Sequence, residues 1–116
     1  MTKVRITWWG GDLTADIAGH AGYGPPGQDI VCAAVSMLAQ ALAASLERAQ
    51  EKGLLVACCC QVEEGDVHIR ARAAPSGLPV IRGMTEVIRT GYRLLAEQYP
   101  GYVTVDTPGE TQALDT

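Results

Sequence analysis

The stretch that decides the fold is IVCAAVSMLAQALAASL, residues 30–46, which carries no charged side chain over 17 residues. Its only polar residues are Ser36, Gln40 and Ser45. A membrane span needs about 20 strongly apolar residues, whereas this stretch is short and largely alanine. Alanine contributes little to insertion, but it lets a helix pack closely against a sheet. The stretch therefore predicts a buried central helix, which begins after an N-cap at Asp29 and ends near Lys52, where Gly53 suits the C-terminal cap.

The size and charge of the chain indicate a globular protein and argue against nucleic-acid or membrane binding. The chain has 116 residues, of which 47% are hydrophobic and 19% charged, the balance of a single globular domain. Its formal net charge of -4 gives no overall positive field that would attract nucleic acid or anionic lipid. We therefore expect no direct nucleic-acid binding and no membrane partner. The first residues, MTKVRI, alternate as a strand does and lack the apolar core of an export signal. The four cysteines are accordingly expected to be reduced thiols in a cytoplasmic protein.

The segments on either side of the helix alternate between apolar and polar residues, which is typical of half-buried strands. The pattern predicts strands over residues 4–9, 13–20, 54–62, 67–72 and 102–105. A second helix is expected to open at Pro79 and to end at Pro100. The order ββαββαβ indicates an α+β fold, in which one mixed or antiparallel sheet packs with two helices. We expect a single domain over residues 1–106 and a polar, frayed tail over residues 107–116.

The same patterns assign the core. Phe is absent, so Trp8 and Trp9 are expected to join the aliphatic residues inside the protein. In the second helix, helical spacing assigns the buried face to Val80, Ile81, Met84, Val87, Ile88, Tyr92, Leu95 and Tyr99. The opposite, solvent-facing side is assigned to Arg82, Glu86, Arg89, Arg93 and Glu97.

The junction between the second strand and the central helix holds two residues suited to catalysis. His20 ends a strand on its polar side, and Cys32 falls in the first helical turn after a loop rich in glycine and proline. Such a loop can fold back and place the imidazole beside the helix N-terminus. Helix N-termini and nearby imidazolium groups favour thiolates, imidazole can move the thiol proton, and free helical N–H groups can bind an oxyanion. Spacing alone fits equally a small buried cysteine and a surface histidine.

This junction resembles the motif of the ribosomal-processing cysteine protease family, Prp, in Gly19-His20-Ala21 and in Gly27-Gln28-Asp29-Ile30-Val31-Cys32-Ala33-Ala34-Val35-Ser36. The family pattern is a glycine and histidine, a flexible loop, and G-x-D-I-V-C-A-x-V-S. The resemblance implies a cytoplasmic, homodimeric cysteine endopeptidase that needs no metal or cofactor, with Cys32 as nucleophile and His20 as general base. It implies that the substrate is the N-terminal extension of a large-subunit ribosomal protein, with some phage structural proteins as further substrates.

The resemblance also implies accessory roles for Gly19, Asp29 and Ser36. Helical spacing places Asp29, Cys32 and Ser36 on one face of the helix. Asp29 is expected to cap the helix, with orientation of His20 as the alternative, and Ser36 to bond the Cys32 carbonyl. Gly19 is expected to let the chain turn beside the site.

The loop over residues 21–28 is expected to contact the substrate and to be the least ordered internal segment. Its motion is assigned to Gly22, Gly24 and Gly27, because Pro25 and Pro26 stiffen the chain between them.

Three other features are expected to lie outside the site. Strand alternation puts Cys58 and Cys60 on one face and Cys59 on the other, and the run lacks the spacing of a metal site. Asp16 shares a strand face with His20, but four residues along a strand span about 13 Å, too far to orient the imidazole. His68 is expected on a solvated strand face.

Two alternatives belong to other classes of function. One is a non-catalytic ribosome- or peptide-binding module with the same fold, against which the intact His20 argues. The other is a thiol redox protein that pairs Cys32 with one of Cys58 to Cys60, against which the lack of a C-x-x-C motif argues.

Overall fold

The computed structural model describes residues 1–106, so the tail expected over residues 107–116 lies outside the described part of the chain. Within residues 1–106, five strands and two α-helices follow the order ββαββαβ, which confirms the predicted fold. The strands are β1 (Thr2–Trp9), β2 (Asp12–Ala18), β3 (Leu55–Glu63), β4 (Asp66–Ala73) and β5 (Val103–Asp106). The helices are α1 (Ile30–Glu51) and α2 (Leu78–Gln98), with a short 3₁₀ turn (Pro75–Gly77) before α2.

The strands form one mixed sheet in the order β3-β4-β2-β1-β5. Neighbouring strands run antiparallel except β1 and β5, which are parallel. Ala18 at the end of β2 lies opposite Asp66 at the start of β4. This register places the tight turn at Glu64 and Gly65 beside the point where the chain leaves β2.

The two helices pack together on one face of the sheet. Alternate residues of β1 and β2 point to this face and are buried, namely Val4, Ile6, Trp8, Leu13, Ala15 and Ile17. The buried residues of α1 recur at helical spacing as Val31, Val35, Ala39, Leu42, Leu46 and Ala49. The opposite sheet face carries exposed charged pairs, such as Arg72 with Asp12 at 2.8 Å.

Helix α1 is buried along one stripe rather than all round. It is long and apolar enough to cross a membrane by length and composition, a test that the core helix of a soluble protein also passes. Its outer side includes Met37, whose side chain is 63% exposed. The apolar run therefore supplies the core stripe that the sequence predicts, together with an uncovered outer face.

Three residues predicted to lie in the core are exposed, and one residue predicted to face solvent is buried. Trp8 is buried, but Trp9 is 69% exposed, because successive strand residues point to opposite faces. In α2, Val80 is 47% exposed and Val87 is 70% exposed. Arg89, in contrast, is buried, and its Nη2 donates to the carbonyl of Ile6 at 3.4 Å. Burial, followed by the charge of Arg93, lowers the pKa of Arg89 to about 10. The buried face of α2 is therefore rotated by about one residue from the face predicted by the spacing of its apolar residues.

A buried tyrosine joins the two helices. Tyr92 on α2 is fully buried, and its hydroxyl donates to the carbonyl of Val35 on α1 at 2.9 Å. Burial raises the pKa of this phenol, so it stays protonated and acts as a donor. Since Val35 lies one turn after Cys32, this bond fixes the part of α1 that carries the thiol.

We expect Tyr92→Phe to lower the free energy of unfolding by about 0.5–1.5 kcal/mol, because it removes one buried hydrogen bond and leaves the ring in place. Urea unfolding followed by circular dichroism measures the change. Tyr102→Phe is the matched control, since it removes the hydroxyl of a tyrosine that is 37% exposed. A Tyr92→Phe protein as stable as wild type would contradict this role.

Candidate active site

A single carboxylate organises the start of α1. Asp29 is the N-cap, and its Oδ1 accepts from the N–H groups of Val31 and Cys32, both at 2.9 Å. Its Oδ2 accepts from the N–H groups of Tyr23 at 2.9 Å and Gly24 at 3.2 Å. The capping role expected from the sequence is therefore present in the geometry. The same side chain also ties the preceding loop to the helix.

Cys32 is the third residue of α1 and is half-buried at the helix N-terminus. Its Sγ accepts a hydrogen bond from the N–H of Ala21 at 3.3 Å. Ala21 follows His20 directly, so the loop does fold back against the helix as the sequence predicts. The thiol therefore lies at a helix N-terminus with a backbone N–H directed at its sulfur.

His20 stands one residue beyond the chain turn at Gly19. Gly19 has a φ of +93°, and a Cβ there would lie 2.5 Å from the carbonyl oxygen of Met1. Only glycine adopts this conformation readily next to another backbone, which agrees with the turning role expected for Gly19. The His20 side chain is exposed, and its ring lies against Gly65 of the β3–β4 turn.

His20 and Cys32 line the same two cavities. One, of about 260 Å³, reaches between α1 and the β3–β4 hairpin and is also bordered by Ser36 and Glu64. The other, of about 490 Å³, opens on the loop side and is also bordered by Ser36, Glu64 and Asp29. The structure thus brings an imidazole and a thiol to one cleft with room for a peptide side chain.

The three glycines assigned to the substrate loop all border the larger cavity. Gly22 and Gly27 have positive φ values of 72° and 81°, and an added Cβ at either would meet nothing within 4 Å. Gly24 differs, since a Cβ there would lie 3.3 Å from the carbonyl oxygen of Gln28. These glycines keep the cavity wall free of side chains, which allows a substrate backbone to approach closely.

The loop is anchored by an aromatic contact that the sequence pattern does not reveal. The Tyr23 ring meets Tyr99 and Tyr102 edge to face, with ring centroids 5.3 Å and 5.1 Å apart. These partners follow α2 and precede β5, nearly eighty residues along the chain. Such contacts contribute about 0.5–1.5 kcal/mol each beyond burial, so the middle of the loop has a defined docking point.

The N-cap uses helical N–H groups that the sequence predicts to be free for an oxyanion. The N–H groups of Val31 and Cys32 both donate to the Asp29 carboxylate. The N–H of Ala33 donates to the Asp29 carbonyl at 3.0 Å. The sequence does indicate the N-cap, but a cap and an anion site compete for the same donors.

The features set outside the site lie elsewhere in the fold. Cys58 and Cys60 share one face of β3 with their Sγ atoms 3.8 Å apart. Cys60 is exposed on β3, but partial desolvation, followed by the neighbouring Cys58 thiol, raises its pKa to about 12. Among residues 1–106, no three His, Cys, Asp or Glu side chains are grouped to hold a metal ion.

Asp16 and His68 pair with each other on the open face of the sheet, away from His20. Asp16 bonds His68 at 2.8 Å and Arg70 at 2.9 Å. The other ring nitrogen of His68 lies 2.8 Å from Asp66. The hydrogen bond that His68 Nδ1 donates to Asp16 is the main reason that the pKa of His68 is raised.

A thiol and an imidazole at one cleft of an α+β domain are the parts that cysteine proteases use for nucleophilic catalysis. The chain matches the family described as cysteine protease Prp over residues 1–104, and it therefore belongs to that family. No protein among curated sequences matches the chain.

Solved structures share this fold. One is an essential ribosomal processing protease Prp from S. aureus, in complex with a covalently linked product peptide. It aligns with a TM-score of 0.70 and 20% sequence identity, and the alignment covers 92% of this chain and 99% of the S. aureus chain. The same S. aureus protease with a substrate peptide gives 0.61 and 20%, with the same coverage. SMU.848 from Streptococcus mutans gives 0.67 and 28%, covering 92% of this chain and 93% of its own.

The double role of Asp29 is separable by substitution. An asparagine has one side-chain oxygen, so Asp29→Asn can serve the helix or the loop but not both. We expect Asp29→Asn to retain most of the thermal stability and to increase amide exchange at Tyr23 and Gly24, whereas Asp29→Ala loses several degrees of Tm as well. Unchanged exchange at both amides in Asp29→Asn would contradict the anchoring role.

The cap also makes the helix start sensitive to acid. Hydrogen bonds, first that from the Cys32 N–H, lower the pKa of the Asp29 carboxyl below its ordinary value. A carboxyl with a lowered folded-state pKa stabilises the fold above its unfolded-state pKa, and this contribution is lost as the pH falls through the folded-state value. We therefore expect the Tm difference between wild type and Asp29→Ala to be full at pH 7 and to shrink in strong acid. A difference independent of pH would show that the ionised carboxylate is not responsible.

Proposed function

We propose that this chain is a cytoplasmic cysteine endopeptidase that removes the N-terminal extension of a large-subunit ribosomal protein. The observation that carries the proposal is that His20 and Cys32 line the same two cavities, in a member of a cysteine protease family. The description of the S. aureus relative as a ribosomal processing protease supports the substrate. Phage structural proteins are proposed as further substrates on the resemblance alone. The four free cysteines are consistent with a reducing compartment.

In the proposed reaction Cys32 is the nucleophile and His20 the general base. His20 takes the Cys32 proton, and the sulfur attacks the carbonyl carbon of the scissile peptide bond. The tetrahedral intermediate collapses when His20 returns the proton to the leaving amine, which leaves a thioester. Water, deprotonated by His20, then hydrolyses the thioester and releases the acid. The covalently linked product peptide of the S. aureus relative supports a covalent route. No step draws on a metal or a cofactor.

The oxyanion of the intermediate needs hydrogen-bond donors, and the N–H groups of Val31 and Cys32 already serve Asp29. We assign this task to the loop backbone. The N–H of Ala21 already points at Sγ, 3.3 Å away, and so lies next to the carbon that the sulfur attacks. A donor in this position strengthens its interaction as negative charge develops on the oxygen.

The reactivity of Cys32 is tested by alkylation in a Cys58→Ala, Cys59→Ala, Cys60→Ala background, which leaves one thiol. We expect iodoacetamide to label this protein at pH 7 as fast as it labels the most reactive site of wild type. His20→Ala in the same background is expected to slow labelling, because the base that takes the thiol proton is gone. Labelling at an unchanged rate in the His20→Ala protein would contradict the dyad.

Cleavage is tested with the precursor of the large-subunit ribosomal protein from the same organism. We expect Cys32→Ala and Cys32→Ser to abolish cleavage without unfolding, and His20→Ala to lower kcat by about 10²–10⁴-fold. Cys59→Ala is the matched control, since Cys59 is exposed on β3 and borders neither of the two cavities. Wild-type cleavage by Cys32→Ala would overturn the mechanism. Intact precursor, with Cys32 shown to be reactive, would overturn only the substrate.

We also propose that the protein is a homodimer, as the resemblance implies. Exposed apolar side chains support this, among them Trp9 at 69% and Met37 at 63% exposure. Light scattering at micromolar concentration is expected to give twice the 12.3 kDa mass of the chain. A mass of one chain under these conditions would overturn the dimer.

A further inference from the structure

Gly65 meets the His20 region at two points. Its carbonyl accepts from the N–H of Gly19, the residue before His20, at 3.0 Å. Its α-carbon lies against the imidazole, since a Cβ added there would be 2.8 Å from both Cε1 and Nε2 of His20 and 3.5 Å from Cδ2. The turn between β3 and β4 thus hydrogen-bonds the backbone next to His20, and its Gly65 α-carbon packs against one side of the imidazole ring.

We propose that Gly65 is a positioning residue for the reaction, whose bare α-carbon sets the place of the His20 imidazole relative to Cys32. This inference rests on the proposed function, because it assigns His20 the role of base. In this role Gly65 takes no part in the chemistry itself, and its effect on the reaction passes entirely through the position of His20.

Other turn glycines of the chain differ from Gly65, because they have the same type of backbone angle but open space where a Cβ would lie. Gly10, Gly53 and Gly101 also have positive φ, but a Cβ at any of them would meet nothing within 4 Å. Those positions require glycine for the backbone angle alone. Gly65 has a φ of +74°, close to the +75° of Gly53, and in addition lacks space for a Cβ because the imidazole occupies it.

The consequence of a side chain at position 65 falls on His20 rather than on the fold. A contact of 2.8 Å is shorter than real Cβ contacts allow, so one partner must move. The imidazole is exposed and turns about its own side-chain bonds, whereas the turn is held by the pairing of Ala18 with Asp66. The ring therefore moves. A displacement of about 1 Å in a catalytic group costs up to about 10²-fold in rate.

The test compares two pairs of variants with the same backbone strain. Gly65→Ala and Gly65→Asn both add a Cβ beneath the ring, and asparagine tolerates positive φ, so Gly65→Asn keeps the test usable if alanine impairs folding. Gly53→Ala and Gly53→Asn are the matched controls at nearly the same φ, in open space. All four are made in the background whose only thiol is Cys32. His20→Ala in that background is the reference.

The readouts are the Tm, the rate of iodoacetamide labelling from pH 5 to 9, and kcat and KM for cleavage of the ribosomal-protein precursor. We expect the pairs to lose similar amounts of Tm, while both Gly65 variants slow labelling and lower kcat by at least about tenfold with little change in KM. The Gly53 variants should keep the rates and pH profile of their parent. The pH profile of the Gly65 variants should approach that of His20→Ala, which a purely structural effect would not produce.

Two other outcomes overturn the inference and are distinguishable. If His20→Ala slows labelling but the Gly65 variants match the Gly53 variants, Gly65 is a turn residue only, and the proposed function stands. If His20→Ala labels at the parent rate, the dyad itself is wrong. The positioning role is then overturned along with it.

Discussion

The geometry of the candidate site depends on the Asp29 carboxylate. One oxygen accepts from two N–H groups at the start of α1, and the other accepts from two N–H groups of the loop. The first pair fixes where the helix begins and therefore where Cys32 stands on it. The second pair draws the loop back across the helix end, which lets the Ala21 N–H reach the sulfur. The negative charge also lies where the helix dipole favours it.

That arrangement has a chemical consequence. A helix N-terminus is a ready site for an anion, but here a side chain of the chain itself already occupies it. The N–H groups of Val31 and Cys32 donate to this carboxylate and are not available to an anion of the substrate. In the proposed reaction, stabilisation of charge on the substrate is therefore assigned to the loop backbone, beginning with the N–H of Ala21.

Local patterns predict the elements and the two central residues, and they fail where contacts join distant parts of the chain. Strand alternation and the apolar run give the order of elements, and the motif around Cys32 singles out both His20 and Asp29. The docking of Tyr23 on Tyr99 and Tyr102 depends on where α2 ends in space, which no local period encodes. Arg89 reads as a surface residue, although its long side chain reaches the Ile6 carbonyl inside the core. The sequence identifies Gly65 only as a turn glycine, because its contact with the His20 imidazole follows from the register of β2 and β4.

The fold also explains why four identical thiols need not behave alike. Cys58 and Cys60 lie side by side on β3, where partial desolvation and the neighbouring thiol disfavour charge on Cys60. A thiolate there would lose solvation and gain a like-charged neighbour. Cys32 instead lies in the first turn of α1. The N–H of Ala21 is directed at its sulfur, and Cys32 lines a cleft together with the His20 imidazole. These surroundings distinguish Cys32 from the thiols of β3, and they are the structural reason for proposing it as the nucleophile.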